Sequence, residues 1–169
     1  MRMQKMISVD YTKCTGCRLC ETVCSVTNAS VCNPERARIK IIRWEWEGLQ
    51  IPTLCQQCEE PACLKVCPVK ALSKDSALGY VKLNPSRCIG CKLCMQVCPF
   101  GAMSYDFVKK EMIKCQFCEG DPACVKFCET KALQFVDVSD ASIKKKRELG
   151  AKVLIAIGKT EEGLQASST

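Results

Sequence analysis

Sixteen of the 17 cysteines in this 169-residue chain fall into four blocks of four, and that pattern limits what the chain can fold into. The first block is Cys14-x2-Cys17-x2-Cys20-x3-Cys24. The second is Cys55-x2-Cys58-x4-Cys63-x3-Cys67, followed by Pro68. The third is Cys88-x2-Cys91-x2-Cys94-x3-Cys98, followed by Pro99, and the fourth is Cys115-x2-Cys118-x5-Cys124-x3-Cys128. The blocks alternate in type. KCTGCRLCETVC recurs as RCIGCKLCMQVC, and CQQCEEPACLKVCPVKAL recurs as CQFCEGDPACVKFCETKAL with one inserted residue. The chain is therefore a duplicated unit.

Cysteine at this density admits a disulfide scaffold, structural zinc or iron–sulfur clusters. The N-terminal stretch MRMQKMISVDYTKC has no apolar segment of signal-peptide length, and the cysteine count is odd; both argue against disulfides. Structural zinc closes one tetrahedron with two Cys-x2–4-Cys knuckles. Blocks one and three instead place three cysteines within seven residues and a fourth after three more. That is the bacterial ferredoxin run, in which three thiolates hold one cubane and the fourth ligates the neighbouring cluster. Each block ends in a cysteine pair spaced i, i+4 (Cys20/Cys24, Cys63/Cys67, Cys94/Cys98, Cys124/Cys128), so a short helix in each is expected to carry both on one face. Pro61 and Pro122 fit the first helical position, Asp121 fits a cap, and Pro68 and Pro99 fit helix stops. The Cys-x3-Cys-x2-Cys spacing of radical enzymes is absent.

Composition agrees. Without cysteine the apolar fraction falls from 47% to about 37%, so something other than side chains must fill the interior. Four clusters with four thiolates each carry about −8, which offsets the formal +7 of the polypeptide. Lys13, Arg18, Lys65, Arg87, Lys92, Lys114 and Lys126 lie beside cysteines, as compensation requires. No aromatic-rich basic face points to nucleic acid. There is no histidine and no apolar run of membrane-spanning length, so histidine chemistry is excluded and direct membrane insertion is not expected.

On these motifs the chain resembles the four-cluster, ferredoxin-like electron-transfer subunits of molybdenum and tungsten oxidoreductases, formate dehydrogenases, hydrogenases and carbon monoxide dehydrogenase. The resemblance covers about residues 5–138. It implies an α+β fold of two nested dicluster units with short hairpins and helices around four 4Fe–4S clusters. The four-cluster domain would be residues 1–138, its outer half 1–54 plus 109–138 and its inner half 55–108. The implied ligand sets are Cys14, Cys17, Cys20 and Cys128; Cys55, Cys58, Cys63 and Cys98; Cys67, Cys88, Cys91 and Cys94; and Cys24, Cys115, Cys118 and Cys124. A rival pairing of block one with two and three with four joins unlike block endings and stays open. By the same resemblance the protein is a cytoplasmic, non-catalytic subunit without catalytic residues. Its partner would be a large tungsten- or molybdenum-pterin protein, most similar to the aldehyde oxidoreductase type, with a flavin or ferredoxin acceptor beyond. The alternatives are a free-standing polyferredoxin and a hydrogenase, formate dehydrogenase or carbon monoxide dehydrogenase subunit.

Strands are expected at Lys5–Val9, Arg38–Trp46, Leu49–Thr53, Tyr80–Leu83, Ser104–Val108 and Gln134–Val138, with Glu47-Gly48 turning a hairpin. Cys32, outside every block, reads as a buried small residue. Trp44 and Trp46 alternate on one strand face and read as packing over a core, with a partner interface as the alternative. Residues 139–169 read as a C-terminal extension that docks a partner or is partly disordered. A helix is expected within Asp140–Gly150; the basic run Lys144–Arg147 reads as a solvated helical face, with docking to an acidic partner as the alternative, and Gln165–Thr169 as a disordered end.

Overall fold

The computed structural model describes residues 5–139 and 142. The expected helix within Asp140–Gly150, the basic run and the chain end lie outside the described residues.

Four two-stranded antiparallel sheets surround four helices. Strand β1 (Lys5–Val9) pairs with β8 (Leu133–Asp137), Lys5 opposite Asp137 and Val9 opposite Leu133, so the first and last strands close on each other. The hairpins β2 (Ile39–Trp44)/β3 (Leu49–Leu54), β4 (Leu72–Lys74)/β5 (Val81–Leu83) and β6 (Met103–Asp106)/β7 (Glu111–Lys114) are local. The internal repeat is carried into the architecture. β1 leads into block one as β5 leads into block three, and each lead-in ends in a 3₁₀ turn capped by a short polar side chain. Asp10 accepts from the Thr12 N–H at one, and Asn84 accepts from the Ser86 N–H at the other. After blocks four and two the chain enters β8 and β4.

The helices are α1 (Leu19–Ala29), α2 (Ala62–Lys65), α3 (Leu93–Gln96) and α4 (Ala123–Lys126). α1 packs on α4, and α2 on α3. Only α1 carries an i, i+4 cysteine pair, Cys20 and Cys24, within one helix. In the other three the helix stops before the fourth cysteine, so Cys67, Cys98 and Cys128 sit on the turn that follows. That corrects the expected common helical face, and it means that Pro68 and Pro99 follow a stop already made. Pro61 and Pro122 occupy the cap position itself. Asp121 does not cap; its carboxylate pairs with Lys126, as Glu60 pairs with Lys65.

Two cores result. One gathers Ile7, Ile39, Ile41, Leu54, Tyr80, Phe117 and Leu133; the other gathers Leu72, Val81, Leu83, Met103 and Met112. The division is not clean along the chain. Tyr80, between β4 and β5, stacks edge-on against Phe117 at 5.9 Å in the first core, while Met112 on β7 joins the second. The β6/β7 hairpin thus crosses the boundary expected at residues 108 and 109.

A buried ion pair clasps the two regions. Arg36 Nε donates to Asp106 Oδ2 at 2.8 Å, and Asp106 Oδ1 accepts from the N–H groups of Val108 and Lys109. Burial works against this charge, but the Lys109 N–H, the guanidinium and the Val108 N–H outweigh it and hold the carboxyl below the usual Asp range. A depressed folded value stabilises above the unfolded value of about 3.9 and is lost as pH falls through the folded one. Asp106→Ala is expected to destabilise the protein by about 3–5 kcal/mol, because it strands Arg36 in the interior. The check is the denaturant dependence of unfolding followed by Trp fluorescence.

Two sequence expectations fail here. Cys32 is exposed. Trp44 is 47% exposed and Trp46 is 99% exposed. β2 ends at Trp44, so Trp46 stands in the turn and neither packs over a core. The alternation that suggested packing was read across the strand's end.

Candidate metal centres

The thiols assemble from distant blocks. Cys14, Cys17, Cys20 and Cys128 rim a cavity of about 160 Å³, closed by Ile41, Pro52, Phe127 and Leu133. Cys24, Cys115, Cys118 and Cys124 line a second, with Ile39, Leu54 and Phe117. Cys55, Cys58, Cys63 and Cys98 line a third, beneath Pro61, Val81 and Met103. Cys94 lies beside Cys88 and Cys91, and Cys67 packs into the same core. No three of the described Cys, Asp or Glu side chains converge on a point as one bare ion would require. The thiols stand around voids, and an all-sulfur donor set around a void suits an iron–sulfur cubane.

Gly16 and Gly90 let these loops form. They hold equivalent places in Cys-x-Gly-Cys, with φ of +69° and +67°. A Cβ on Gly16 would stand 2.6 Å from Gln50 Oε1, and one on Gly90 would stand 3.1 Å from the Lys110 carbonyl. Each ligand loop is therefore pressed against a hairpin, β2/β3 at the first and β6/β7 at the second. The next turn residues, Arg18 and Lys92, are also left-handed and start α1 and α3. Sequence reasoning passed over both glycines, although their matched place in the repeat marks them.

Successive sets approach one another. Cys124 interacts electrostatically with Cys20, Cys115 with Cys55, and Cys94 with Cys63. The order is thus the Cys14 set, the Cys115 set, the Cys55 set and the Cys88 set. Burial pushes the bare thiols of Cys20 and Cys115 up to about 12 and that of Cys94 up to about 11, and also raises Cys24, Cys63 and Cys124. Thiolates at these positions need positive charge from what they bind.

Several groups aim N–H bonds at sulfur. The Arg38 N–H donates to Cys24 Sγ and the Ala71 N–H to Cys67 Sγ, each at 3.2 Å. Asn28 Nδ2 stands 3.7 Å from both Cys24 and Cys118. The basic residues are less uniform than expected. Lys13, Arg18, Lys65 and Lys126 are paired with Asp10, Glu21, Glu60 and Asp121. Lys114 is the buried one. Its ammonium donates to the carbonyls of Val81 and Cys115 and to Gln57 Oε1, and it acts on the thiols of both Cys63 and Cys115. Glu21 is also fully buried, bound by Arg18 and by the Ile41 N–H.

Comparison with known proteins points to the same cofactor chemistry. Residues 46–138 match the 4Fe–4S dicluster domain and residues 11–27 a 4Fe–4S binding domain. Together the matches contain all sixteen block cysteines, and Cys32 falls between them. YsaA of Escherichia coli (strain K12), named as a candidate electron transport protein, is 41% identical over 80% of this chain and 92% of its own. The polyferredoxin-like subunit of an aliphatic sulfonate oxidoreductase from Pyrococcus furiosus is 37% identical over 72% of this chain and 70% of its own. A chain of the BamBC active-site complex of benzoyl coenzyme A reductase, solved with 1,5-dienoyl-CoA, is 27% identical with a TM-score of 0.52, covering 95% of both chains. This chain belongs to the 4Fe–4S dicluster family of ferredoxin-like, electron-transferring iron–sulfur proteins.

Proposed function

We propose that this chain is the non-catalytic relay subunit of a larger oxidoreductase and holds four 4Fe–4S clusters on the four thiol sets described above. The observation that carries this reading is that each set draws three cysteines from one block and the fourth from another, around a shared void or core. Bound clusters supply one-electron chemistry. The chain's own residues order the sets, keep water from Cys20, Cys24, Cys94, Cys115 and Cys124, and direct N–H groups at Cys24 and Cys67. Anaerobic analysis is expected to find about sixteen iron and sixteen sulfide per chain. A colourless preparation with about four zinc ions would overturn the proposal.

The partner we favour is a tungsten- or molybdenum-pterin subunit of the aldehyde oxidoreductase type, as the resemblance of the cysteine motifs implies; the likeness to BamBC and to the sulfonate oxidoreductase subunit supports a catalytic oxidoreductase partner. A second reading, a formate- or hydrogen-converting complex, is favoured by formate hydrogenlyase subunit 2 of Escherichia coli (strain K12), 34% identical over 87% of this chain and 90% of its own. Substrate-linked viologen reduction by the co-purified complex separates them, an aldehyde or acyl thioester supporting the first and formate or hydrogen the second. Among the described residues no helix is long and apolar enough to cross a membrane. We place the protein in the cytoplasm with its partner.

A further inference from the structure

Of the sixteen block cysteines only Cys17 and Cys91 are exposed, and they belong to the first and last sets in that order. Electrons that enter or leave through the protein surface therefore have two doors, and the doors differ.

On the Cys17 loop, the β2/β3 hairpin it is pressed against and the block-four turn beside it, the exposed charges are mixed: Lys13, Arg18 and Arg43 with Glu45, Glu47 and Glu129. Around Cys91 they are of one sign. Arg87, Lys109 and Lys110 are exposed. Lys92 Nζ sits 4.2 Å over the Tyr105 ring and 5.5 Å from that of Phe107. Of the nearby carboxylates, Asp106 is buried and taken by Arg36, which leaves half-buried Glu111. The same face exposes Ile89 at 65%, Phe107 at 78% and Val108 at 75%. These residues are contiguous, because the Cys88–Cys94 loop is pressed on the β6/β7 turn at Gly90, and Tyr105 and Phe107 stack edge-on at 5.0 Å.

We propose that this face is the docking surface for a small acidic one-electron carrier protein, which exchanges electrons at the Cys91 end of the relay. The inference rests on the relay reading above. Cationic rims raise encounter rates with acidic partners, and a small exposed apolar centre gives a brief, specific contact. A second copy of this chain is repelled by the same charge.

The test uses the intact holoprotein and stopped-flow electron exchange with an acidic bacterial 2[4Fe–4S] ferredoxin as probe, with basic cytochrome c as control and reduced methyl viologen as a small-molecule reductant. The ferredoxin rate is expected to fall about tenfold or more as ionic strength rises from about 0.02 to about 0.3 M. Lys109→Glu/Lys110→Glu should lower that rate about tenfold at low salt, raise the cytochrome c rate, and leave iron content unchanged without slowing reduction by the cationic viologen. Phe107→Ala should weaken exchange without altering its salt dependence. Glu45→Lys/Glu47→Lys, at the other door, should change nothing with ferredoxin. Docking is overturned if the Lys109/Lys110 variant exchanges with ferredoxin as the wild type does, or if only the Glu45/Glu47 variant responds. A holoprotein that methyl viologen cannot reduce overturns the relay reading itself.

Discussion

Anaerobic removal of iron and sulfide will leave this chain without a cooperative unfolding transition. Every sheet among the described residues has two strands, and a lone two-stranded hairpin is marginal in water. Three of the four helices are four residues long, far below the length at which a helix holds itself. The two cores that should make up the deficit are themselves rimmed by cysteines. Cys14, Cys20, Cys24, Cys55, Cys115, Cys124 and Cys128 belong to the first, and Cys63, Cys67, Cys88, Cys94 and Cys98 to the second. Emptied, these sites are voids lined by thiols and by apolar groups that have lost their contacts. Binding free energy is then folding free energy. Circular dichroism of the stripped chain should lose most of its far-ultraviolet signal, and reconstitution under anaerobic conditions should restore it. A stripped chain that keeps a sigmoidal urea transition would contradict this account.

The cysteine spacing made the chemistry legible because ligand geometry is local: three thiols within seven residues imply a tight turn around something larger than one ion. Strands were legible where β-branched residues alternate, and β1 falls on Lys5–Val9 as expected. The others shift by a residue or two at their ends, or in the case of β2 stop earlier, at Trp44. β4 and β7 escaped notice because Leu72–Lys74 has no β-branched or aromatic residue and Glu111–Lys114 has only Ile113, whereas the equally short β5 and β6 have Val81 beside Tyr80 and Tyr105 beside Phe107. Tertiary context decided the rest. Asp121 is a good cap by type, yet Lys126 lies within reach one turn away and takes its carboxylate. Lys114 looked like one more basic residue beside a cysteine. Nothing local distinguishes it from Lys13 or Lys126, which are exposed and paired with aspartates; its burial follows from the meeting of β5, β7 and Gln57.

That burial makes Lys114 the residue whose replacement should change the relay most without touching a ligand. An ammonium has three N–H donors, and three acceptors surround it: the Val81 carbonyl, the Cys115 carbonyl at 2.9 Å and Gln57 Oε1 at 3.3 Å. Gln57 Oε1 also accepts from the Val81 N–H at 2.9 Å, while the Nε2 of the same amide donates to the Cys115 carbonyl at 2.8 Å, so the side chain ties block two to block four through one network. Lys114→Met keeps the volume and removes both donors and charge. Each buried acceptor left short of a partner costs about 1–3 kcal/mol, and relief from burying the charge offsets part of that. The net expectation is about 3 kcal/mol of destabilisation, read as faster loss of the visible cluster absorbance in denaturant. The charge has a second consequence. It sits by Cys115 and Cys63, which belong to the two inner sets, and nearby positive charge favours the reduced, more negative state of a cluster. Potentiometric titration followed by electron paramagnetic resonance should show the two inner couples shifting to lower potential in Lys114→Met, by tens of millivolts, with the outer two nearly fixed. Equal shifts in all four couples, or none, would mean that Lys114 serves the fold alone.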